Sequence, residues 1–568
     1  MSSPGPDRAV LAPTYAPHLV ASLMVLVGLL DVGAVLRPGL VRRLAFVGDV
    51  LPGVLVSASA GVSVAVGLLL LALAQGIARG KRRAWRIAVA LLSAQVVLQA
   101  AQRSTVLLAA STGLLLLLVL TRHQFAGRSD PATRGQVART AGVLLGVSAA
   151  TGLVAVALLA RQEHIRVGAG GLVVAVAQGL VGIPSIVTAP ESRQSDAVYY
   201  LLLAMGVMTV AVTGFMALRS SGHTPAHTEA DDRDLRALLA RYSSQDSLAY
   251  FATREDRALA WSPNRRACVS FKVVSGTALA AGDPIGPRAE WGGAMAEFLS
   301  MAREHAWIPA TAAASAEGAR VWGELGGFSS LEFGDEAVLR RDGFTLAGRE
   351  MRNARQAAAR ATRAGYIVKI TRLGDVDTSR AALLRDCAGR WRAEGTERGF
   401  SMSLGRIDPA RDPSSLVVTA EVGTALHALL VLVPWGGDGV SLDVMRRSAD
   451  AANGVTELMI ATLMARLDEL GLERVSLNFA VFREAIERAE AADARAWVRV
   501  WGRTLKGMSR WSQVDSLYRF NAKFHPDWQP RFLVYRSASG LPRVALSYLG
   551  AESLVRLPGR RTGVSTSS

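Results

Sequence analysis

The sequence predicts a multi-domain protein in which an all-α polytopic membrane domain is followed by a soluble α+β region. Two observations predict this fold class. Residues 1–218 contain several long apolar segments with almost no charge, whereas residues 219–568 have an ordinary globular composition in which strand and helix patterns alternate. A chain of 568 residues is also too long to form one compact domain.

The membrane domain is predicted at residues 18–218, after an N-terminal tail at 1–17. A helix that crosses a bilayer needs about 20 mostly apolar residues. Six segments have this length and composition: 18–36, 51–77, 85–102, 104–121, 141–160 and 198–218. Segment 168–187 is also uncharged, but its glycines and Pro184 suit a re-entrant or interfacial hairpin better than a straight helix.

Basic loops predict the orientation of this domain. The loops at 79–86 and 122–139 together carry nine Lys and Arg residues, and such loops are retained in the cytoplasm. With six spans, the N-terminus and residues 219–568 are therefore cytoplasmic. A seventh crossing, by segment 168–187, would place the soluble region outside.

The charge balance favours polyanionic partners. The formal net charge is +17, and residues 1–218 contain 17 Lys and Arg against 7 Asp and Glu, so both regions are basic. Nucleic acid and anionic lipid are the partners that such charge attracts, although a compositional bias toward arginine is the alternative. Cys268 and Cys387 are far apart and show no metal-like spacing, so neither a disulfide framework nor a zinc site is indicated, and no metal is expected.

The soluble region follows a polar linker at 219–236. Its patterns predict strands and helices that alternate, enough for two similar subdomains in tandem, at 237–372 and 373–550, before a disordered tail at 551–568. The predicted strands are 266–274, 277–286, 307–313, 366–372, 425–435, 439–446 and 474–482. The predicted helices are 290–306, 345–364, 379–395 and 455–471.

The predicted helix 345–364 carries one sign of charge. Five arginines fall within an arc of roughly 140° at 100° per residue. They are Arg349, Arg352, Arg355, Arg360 and Arg363. Arginine forks pair with phosphate oxygens, so this ridge predicts a phosphate-binding surface that contacts RNA or lipid. A merely solvated face is the alternative.

Several segments of the soluble region resemble a known family. They are "WSPNRRACVSFKV", "ALAAGDPIGP", "FTLAGREMRNARQAAARATRAGY", "ERGFSM", "SLDVMRRSADAANGVTELMI", "RVSLNFAVF" and "LYRFNAKFHPDWQPRFLVY". In this order they resemble the catalytic domain of the phosphatidylglycerol lysyltransferase family, which includes the lysyl- and alanyl-phosphatidylglycerol synthases, or multiple peptide resistance factors. The resemblance covers about residues 240–550.

The resemblance implies two tandem GNAT-like acyltransferase folds behind a membrane domain, with the active site in the second. It implies transfer of an aminoacyl group, lysyl or alanyl, from aminoacyl-tRNA to a hydroxyl of phosphatidylglycerol, which lowers the negative charge of the membrane and gives resistance to cationic antimicrobial peptides. It implies a multi-pass protein of the inner or plasma membrane whose catalytic domain is cytoplasmic, with no cofactor. Six spans suggest a synthase without a complete flippase, and the tail after residue 550 is too short for the fused synthetase domain of some relatives.

Asp443 and Arg446 are the leading catalytic pair by this family match. Asp443 is expected to bind the aminoacyl ammonium or to assist proton removal, and Arg446 to hold a lipid or tRNA phosphate. In a regular strand these two residues face opposite sides, so they converge only if the strand bends or ends there. A structural ion pair at a strand end is the alternative.

Four further substrate-binding candidates surround this pair. Arg447 is a second phosphate ligand. Asn453 and Gly454 open a helix whose free N–H groups would cradle a phosphate, although a plain Asn-Gly turn explains them equally well. Asn478 at a strand end would donate to the ester carbonyl, and a local cap is its alternative.

The C-terminal segment adds two cations, Arg519 and Lys523, beside four aromatic residues. A terminal adenine would stack there, although core packing explains aromatics more often. His525 is a weaker candidate for a base, and Glu421 has no assignment from the sequence.

Two other classes of function compete with the aminoacyl transferase. The first is an acyl-CoA or peptidoglycan-type transferase of the same fold, but the sequence has no recognisable glycine-rich pyrophosphate loop. The second is a transport or sensor protein whose soluble region only binds lipid or tRNA. Another hydroxyl lipid, such as diacylglycerol, is an alternative acceptor.

Overall fold

The computed structural model describes most of the chain. The described residues are 16–35, 69–125 and 133–188 with short interruptions, 193–217, 227–392, 400–481 and 511–553. These residues form two compact units, an N-terminal helical unit and a C-terminal α/β unit. Most of the predicted span 51–77, residues 1–15 of the predicted N-terminal tail and nearly all of the predicted C-terminal tail lie outside the described residues.

Among the described residues, the N-terminal unit has helices at five of the six predicted spans and one further helix in segment 168–187. They are α1 (Ala16–Val35), α2 (Arg82–Ala101), α3 (Thr105–Leu120), α4 (Thr133–Gln162), α5 (Ala169–Leu180) and α6 (Arg193–Ala217). Among the described residues, one helical stretch, Val137–Gln162, is long and apolar enough to cross a membrane, and the other apolar helical stretches are shorter. Six spans therefore remain a prediction.

Helix α5 lies in the segment for which a re-entrant hairpin was considered. Its 12 residues rise about 18 Å, which is shorter than the hydrocarbon core of a bilayer. The helix ends at Leu180, two residues before Gly182, whose φ is +82°, and α5 packs against α4 and α6 through residues such as Val176 and Leu202. The length of α5 favours a hairpin over a straight crossing.

The C-terminal unit contains one mixed sheet of eleven strands. The strands are β1 (Ala258–Trp261), β2 (Cys268–Val274), β3 (Thr277–Ala281), β4 (Ile308–Ala314), β5 (Ser329–Arg340), β6 (Ile367–Arg372), β7 (Leu416–Val422), β8 (Ala425–Trp435), β9 (Gly439–Arg447), β10 (Arg474–Val481) and β11 (Asp527–Tyr535). The helices are α7 (Glu229–Tyr242), α8 (Arg288–Glu304), α9 (Ala316–Gly326), α10 (Arg352–Arg363), α11 (Thr378–Arg390), α12 (Val455–Ala465), α13 (Trp511–Ala522) and α14 (Leu541–Ala551).

The sheet repeats one topology twice. Strands β1 to β3 form an antiparallel meander, and β4 returns parallel to β3 after helix α8. Strands β6 to β9 form a second meander, and β10 returns parallel to β9 after helix α12. We call these the first and second halves. Each half has the same α/β topology, which agrees with the predicted tandem of two similar subdomains.

Two strands are exchanged between the halves. The strand order is β1-β2-β3-β4-β11-β5-β10-β9-β8-β7-β6. Strand β5, which ends the first half in sequence, therefore pairs with β10 of the second half, while β11 from the end of the chain pairs with β4 of the first. This exchange joins the halves into a single sheet.

The structure corrects two predicted boundaries. Helix α10 begins at Arg352 rather than at residue 345, because Gly348 has a φ of +88° and Arg355 Nη1 donates to its carbonyl at 3.0 Å. The predicted boundary between residues 372 and 373 would separate β6 from its partner. Strand β6 pairs antiparallel with β7 and so belongs to the second half.

Opposite faces of the second half carry different helices. Leu442 and Met445 of β9 face a core shared with α10 and α12, which we call the α10/α12 face. Val444 faces a smaller core shared with α11 and Ile407, which we call the α11 face. The sheet therefore separates the arginine-rich helix from α11.

Candidate functional site

The site is built where the parallel strands β9 and β10 separate. Their pairing covers only three residue pairs, from Gly439 opposite Arg474 to Ser441 opposite Ser476. Strand β9 nevertheless continues to Arg447 and β10 to Val481. The two strands therefore leave a wedge between them at their carboxyl ends, with backbone groups that do not pair across it.

A bulge lies on each side of the wedge. In β9, Val444 pairs with Val431 and Leu442 with Leu432, so Asp443 is an extra residue in the ladder with β8. In β10, the register with β5 shifts between Ser476 and Phe479, and Asn478 has a φ of +82°. Bulges redirect side chains and end regular pairing, which is what the wedge requires.

The bulge in β9 brings Asp443 to the same side as Arg446. Asp443 is 9% exposed, and its Oδ1 accepts hydrogen bonds from the N–H groups of Leu404 at 2.7 Å and Gly405 at 3.4 Å. Arg446, two residues after Val444, also lies on the α11 face and lines a cavity with Gly405. The bend that the sequence analysis required is therefore present.

The cavity beside Arg446 has a volume of about 340 Å³. It is open to solvent and lies between α11, the loop at 404–408 and β9. Its lining residues are Arg385, Ala388, Gly389, Arg392, Gly405, Arg406, Ile407, Asp408, Val444 and Arg446. Sequence reasoning missed Arg385 and Arg392, although their spacing of seven residues, two helical turns, would have placed them on one side of a helix.

The cavity is positively charged. Arg406 is engaged by Asp412, at 2.7 Å, and by the carbonyl of Thr253, at 3.0 Å, so it has a structural role. The acid Asp408 accepts N–H groups from its own turn. Arg385 donates to the carbonyl of Ile407 at 3.4 Å and Arg446 to the carbonyl of Met445 at 3.1 Å, and both line the cavity together with Arg392. A group of arginines around one cavity suits a phosphate or another anion.

The corresponding position of the first half is closed. Strands β3 and β4 pair over five residue pairs, and the N–H of Gly282 donates to Ala312 just beyond them. Asp283 then fills the end of the strands and accepts from the N–H of Ser315 at 2.9 Å. Burial and the nearby carboxylate of Asp246 raise the pKa of Asp283 to about 7. Among the described strands, the wedge thus forms in the second half and not in the first.

The predicted arginine ridge lies on the α10/α12 face. Ala354 and Ala361 of α10 are buried, so Arg352, Arg360 and Arg363 project from its outer side. Arg349 belongs to the turn before α10 rather than to the helix, and Arg355 is hydrogen bonded to that turn. The sheet separates these arginines from the cavity beside Arg446.

Helix α12 begins at Val455, directly after Asn453 and Gly454. Gly454 has a φ of +102°, and a Cβ atom there would overlap the carbonyl of Ala357 in α10. Asn453 is exposed, whereas Val455 is fully buried. This geometry favours the plain Asn-Gly turn, because the turn permits close packing of α12 on α10. Binding of a phosphate by the N–H groups at the start of α12 remains a prediction.

Arg519 and Lys523 also lie on the α10/α12 face. Lys523 Nζ donates to Glu457 Oε1 at 2.8 Å, so its charge is balanced by an acid in the first turn of α12. Tyr518 and Trp528 stack with ring centres 4.9 Å apart, and Phe524 is buried in the core. Core packing therefore explains Phe524. Arg519 is exposed, and the stacked Tyr518 and Trp528 are partly exposed.

Three other residues have local roles. Arg447 is exposed at the end of β9. His525 is exposed, and its Nδ1 lies 4.0 Å from Glu350. Burial would raise the pKa of Glu421, but a hydrogen bond from Lys369 and the charge of Arg380 lower it overall. Within the described residues, no three His, Cys, Asp or Glu side chains are grouped as metal ligands.

The repeated topology, the wedge and the basic cavity define an α/β domain of two similar halves that follows a helical N-terminal unit in the chain. Comparison with known proteins makes this more specific. The profile of the family described as "Phosphatidylglycerol lysyltransferase, C-terminal" matches residues 236–535. The chain belongs to the phosphatidylglycerol lysyltransferase family.

Curated relatives extend this similarity. The chain is 39% identical over 431 residues to the lysylphosphatidylglycerol biosynthesis bifunctional protein LysX of Mycobacterium tuberculosis, covering 75% of this chain and 36% of that protein. The corresponding protein of Mycobacterium avium is 38% identical over 462 residues, covering 80% of this chain and 38% of that protein. The chain thus spans little more than a third of the length of these relatives.

The fold of the C-terminal unit also occurs in a solved structure. The structure of L-PGS from Bacillus licheniformis aligns with 58% of this chain and 98% of its own, with a TM-score of 0.50 and 20% identity. At this identity the similarity concerns the fold alone.

Proposed function

We propose that this protein transfers an aminoacyl group from a charged tRNA to a glycerol hydroxyl of phosphatidylglycerol. The observation that carries the proposal is the wedge between β9 and β10, where a buried carboxylate, Asp443, lies on the same face as Arg446 and a basic cavity. The reaction joins two phosphate-bearing substrates around an ester with a free ammonium group. An acid at the strand opening suits the ammonium group, and several cations there suit the phosphates.

The two faces of the sheet suit the two substrates. The arginine ridge of α10, with Arg519, provides an extended basic surface for the tRNA backbone on the α10/α12 face. The cavity of about 340 Å³ on the α11 face is small and suits one glycerol phosphate group. In this arrangement the aminoacyl ester reaches the lipid through the wedge.

The chemistry is a transesterification. The lipid hydroxyl attacks the ester carbonyl, the new ester bond forms through a tetrahedral intermediate, and the terminal ribose hydroxyl of the tRNA leaves with a proton. Asp443 binds the aminoacyl ammonium or accepts the proton of the attacking hydroxyl. Arg446 holds the lipid phosphate. Because the donor is already an activated ester, no covalent enzyme intermediate is needed.

Lysine is the aminoacyl group that we propose. The relatives from Mycobacterium are named for lysylphosphatidylglycerol biosynthesis, which supports this choice. The product would be a cationic lipid, so the activity would lower the negative charge of the membrane and give resistance to cationic peptides. We further propose that the helical unit holds the enzyme in the plasma membrane with the α/β unit in the cytoplasm.

The decisive experiment is expression in a bacterial host that makes no aminoacylated lipids, followed by lipid mass spectrometry. We expect a phosphatidylglycerol species heavier by one lysyl residue, and a strongly reduced amount of it in cells that express the Asp443→Asn variant. An alanyl species would correct the amino acid, and an aminoacylated diacylglycerol would correct the acceptor. Absence of every aminoacylated lipid, with the protein folded in the membrane, would refute the transferase.

A further inference from the structure

A buried cluster of charges lies in the middle of the sheet, where the two halves meet. Arg531 of β11 donates to Glu336 of β5 at 2.9 Å and to Asp246 of the loop after α7 at 2.8 Å. All three side chains are almost completely buried. Arg531 also donates to the hydroxyl of Ser247 at 2.7 Å, and that hydroxyl donates to Glu336. The charged groups of all three residues are therefore engaged in hydrogen bonds.

Two serines connect this cluster to the wedge. Ser476 of β10 donates from its hydroxyl to Glu336. Ser441 of β9 donates from its hydroxyl to the carbonyl of Ser247 at 2.9 Å. These serines pair with each other and form the last pair of the parallel ladder before β9 and β10 separate. The cluster thus holds both strands at the point where the wedge begins.

The wedge residues follow directly after these anchors. Asp443 lies two residues beyond Ser441, and Asn478 lies two residues beyond Ser476, with its N–H 3.4 Å from the Ser476 hydroxyl. A shift of either serine would therefore be passed along the backbone to the acid or to the amide. A misplacement of about 1 Å at a reacting group is sufficient to reduce a rate by up to about 100-fold.

Stability alone is a weak explanation for this cluster. Replacement of buried ion pairs by apolar side chains is often neutral or stabilising, because desolvation offsets the attraction between the charges. Buried polar groups that are fully satisfied do, however, specify one arrangement of the chain around them. The first half has no wedge of its own but supplies Asp246, Ser247 and Glu336 to this cluster.

We propose that Glu336 and Arg531, acting through Ser476 and through Ser247 to Ser441, are positioning residues of the transfer site that set the opening of the β9–β10 wedge. The first half, in which the corresponding strands are closed, thereby serves as the support of the active half. The inferred placement of Asp443 and Asn478 does not depend on the proposed function. Only the expected effect of that placement on the transfer rate rests on it.

The test compares three hydroxyl deletions in the full-length, detergent-solubilised protein. Ser476→Ala and Ser441→Ala each remove one anchor. Ser270→Ala is the matched control, because Ser270 is also buried in a strand, β2, and its hydroxyl makes no hydrogen bond to the described residues. Hydrogen–deuterium exchange of the backbone at residues 442–447 and steady-state transfer kinetics are measured for each variant.

We expect exchange at residues 442–447 to become about tenfold faster in Ser476→Ala and Ser441→Ala and to remain unchanged in Ser270→Ala, because a hydrogen bond to a fixed group is lost. We expect kcat to fall about tenfold or more, while KM for both substrates stays within about twofold. A structural role alone would lower the melting temperature and leave kcat unchanged.

Unchanged exchange in both anchor variants would overturn the proposal, as would faster exchange with wild-type kcat. If Ser476→Ala does not fold, Ser441→Ala decides on the same criteria. If the wild-type protein shows no transfer activity, the proposed function fails. In that case the exchange data still decide whether the cluster positions the wedge.

Discussion

Asp443 and Arg446 acquire a common site through a single extra residue in β9. The alternation of a regular strand would place them on opposite faces of the sheet, and the bulge at Asp443 removes this restriction. The backbone N–H groups of Leu404 and Gly405 then fix the carboxylate. At this scale the identity of the residues was predictable from the family resemblance, but their convergence depends on strand register.

Substitution of this pair should separate the chemical step from lipid binding. We expect Asp443→Asn to reduce kcat by about 100-fold, because the amide neither balances an ammonium nor accepts a proton. We expect Arg446→Lys to raise KM for the lipid by about tenfold, because lysine lacks the planar fork. Steady-state assays with phosphatidylglycerol micelles and charged tRNA measure both. Asp468→Asn, at an exposed carboxylate of the same half, should behave as wild type.

Gly454 is a residue for which the structure predicts a strict requirement. Its φ of +102° and its close approach to Ala357 both exclude a side chain. We expect Gly454→Ala to destabilise the protein by about 2 kcal/mol or more, which lowers the melting temperature by on the order of 5 °C. Gly437→Ala is the matched control, because a Cβ atom there meets no atom within 4 Å. Equal melting temperatures of the two variants would contradict the assigned packing.

At the scale of elements, the sequence predicts the helix α10 but places its first residue wrongly. Its buried alanines follow the helical period, and its arginines project from the other side. The positive φ of Gly348 nevertheless starts the helix seven residues later than predicted and leaves Arg349 in a turn. Local periodicity predicts the helix, whereas the backbone conformation at one glycine decides where it begins.

The ridge of α10 should bind tRNA and not lipid. We expect the triple variant Arg352→Gln, Arg360→Gln and Arg363→Gln to raise KM for charged tRNA at least about tenfold, with KM for the lipid unchanged. The dependence of tRNA binding on salt should also become shallower, by about one unit of slope per lost phosphate contact. Filter binding at several salt concentrations measures this slope.

A charge-matched control excludes a general electrostatic effect. Arg265, Arg288 and Arg320 are exposed arginines of the first half. Their simultaneous change to Gln removes the same charge from a different surface, so tRNA binding should be retained. An equal loss of binding in both triple variants would show that the ridge is not the tRNA site.

Strands β5 and β11 were missed by the sequence analysis for a physical reason. Their partners are far away along the chain, and both lie in the centre of the sheet, where one strand end is buried and the other is partly exposed. Neither shows the clean alternation that identified β9 or β10. Their exchange between the halves is set by the tertiary structure, because it depends on pairing between residues that are far apart in the chain.

At the scale of the whole molecule, the junction of the halves should make stability depend on pH. The raised pKa of Asp283, about 7, means that the folded protein holds this proton more tightly than the unfolded chain does. This contribution to stability is fully present below about pH 4 and is lost as pH rises through about 7. The groups that face Asp283 are Asp246, Ser315 and Arg531.

We therefore expect the wild-type melting temperature to fall more between pH 5 and pH 8 than that of Asp283→Asn, by on the order of 5 °C. Asparagine retains an acceptor for Ser315 and does not titrate, while all other titratable groups are common to both proteins. Thermal denaturation at both pH values measures the difference. Parallel pH profiles of the two proteins would show that Asp283 does not titrate in this range.

The orientation of the whole protein in the membrane is testable at the linker. Six spans place residue 222 in the cytoplasm, on the side where charged tRNA is found. A reporter active only in the cytoplasm, fused after residue 222, should therefore be active, and one active only outside should be silent. The reverse result would require a seventh crossing by segment 168–187 and would refute the proposed function with it.

The sequence by itself determined the division into an apolar helical region and an α/β region and the approximate positions of most strands and helices. The family resemblance added Asp443 and Arg446 as the predicted catalytic pair, and this assignment stays a prediction. Periodicity and composition are local, and the family resemblance is carried by contiguous segments. The tertiary structure alone decided the two bulges, the separation of β9 from β10, the exchange of β5 and β11 and the basic cavity at Arg385 and Arg392. These features depend on contacts such as that between Arg531 and Asp246, which are 285 residues apart in the chain.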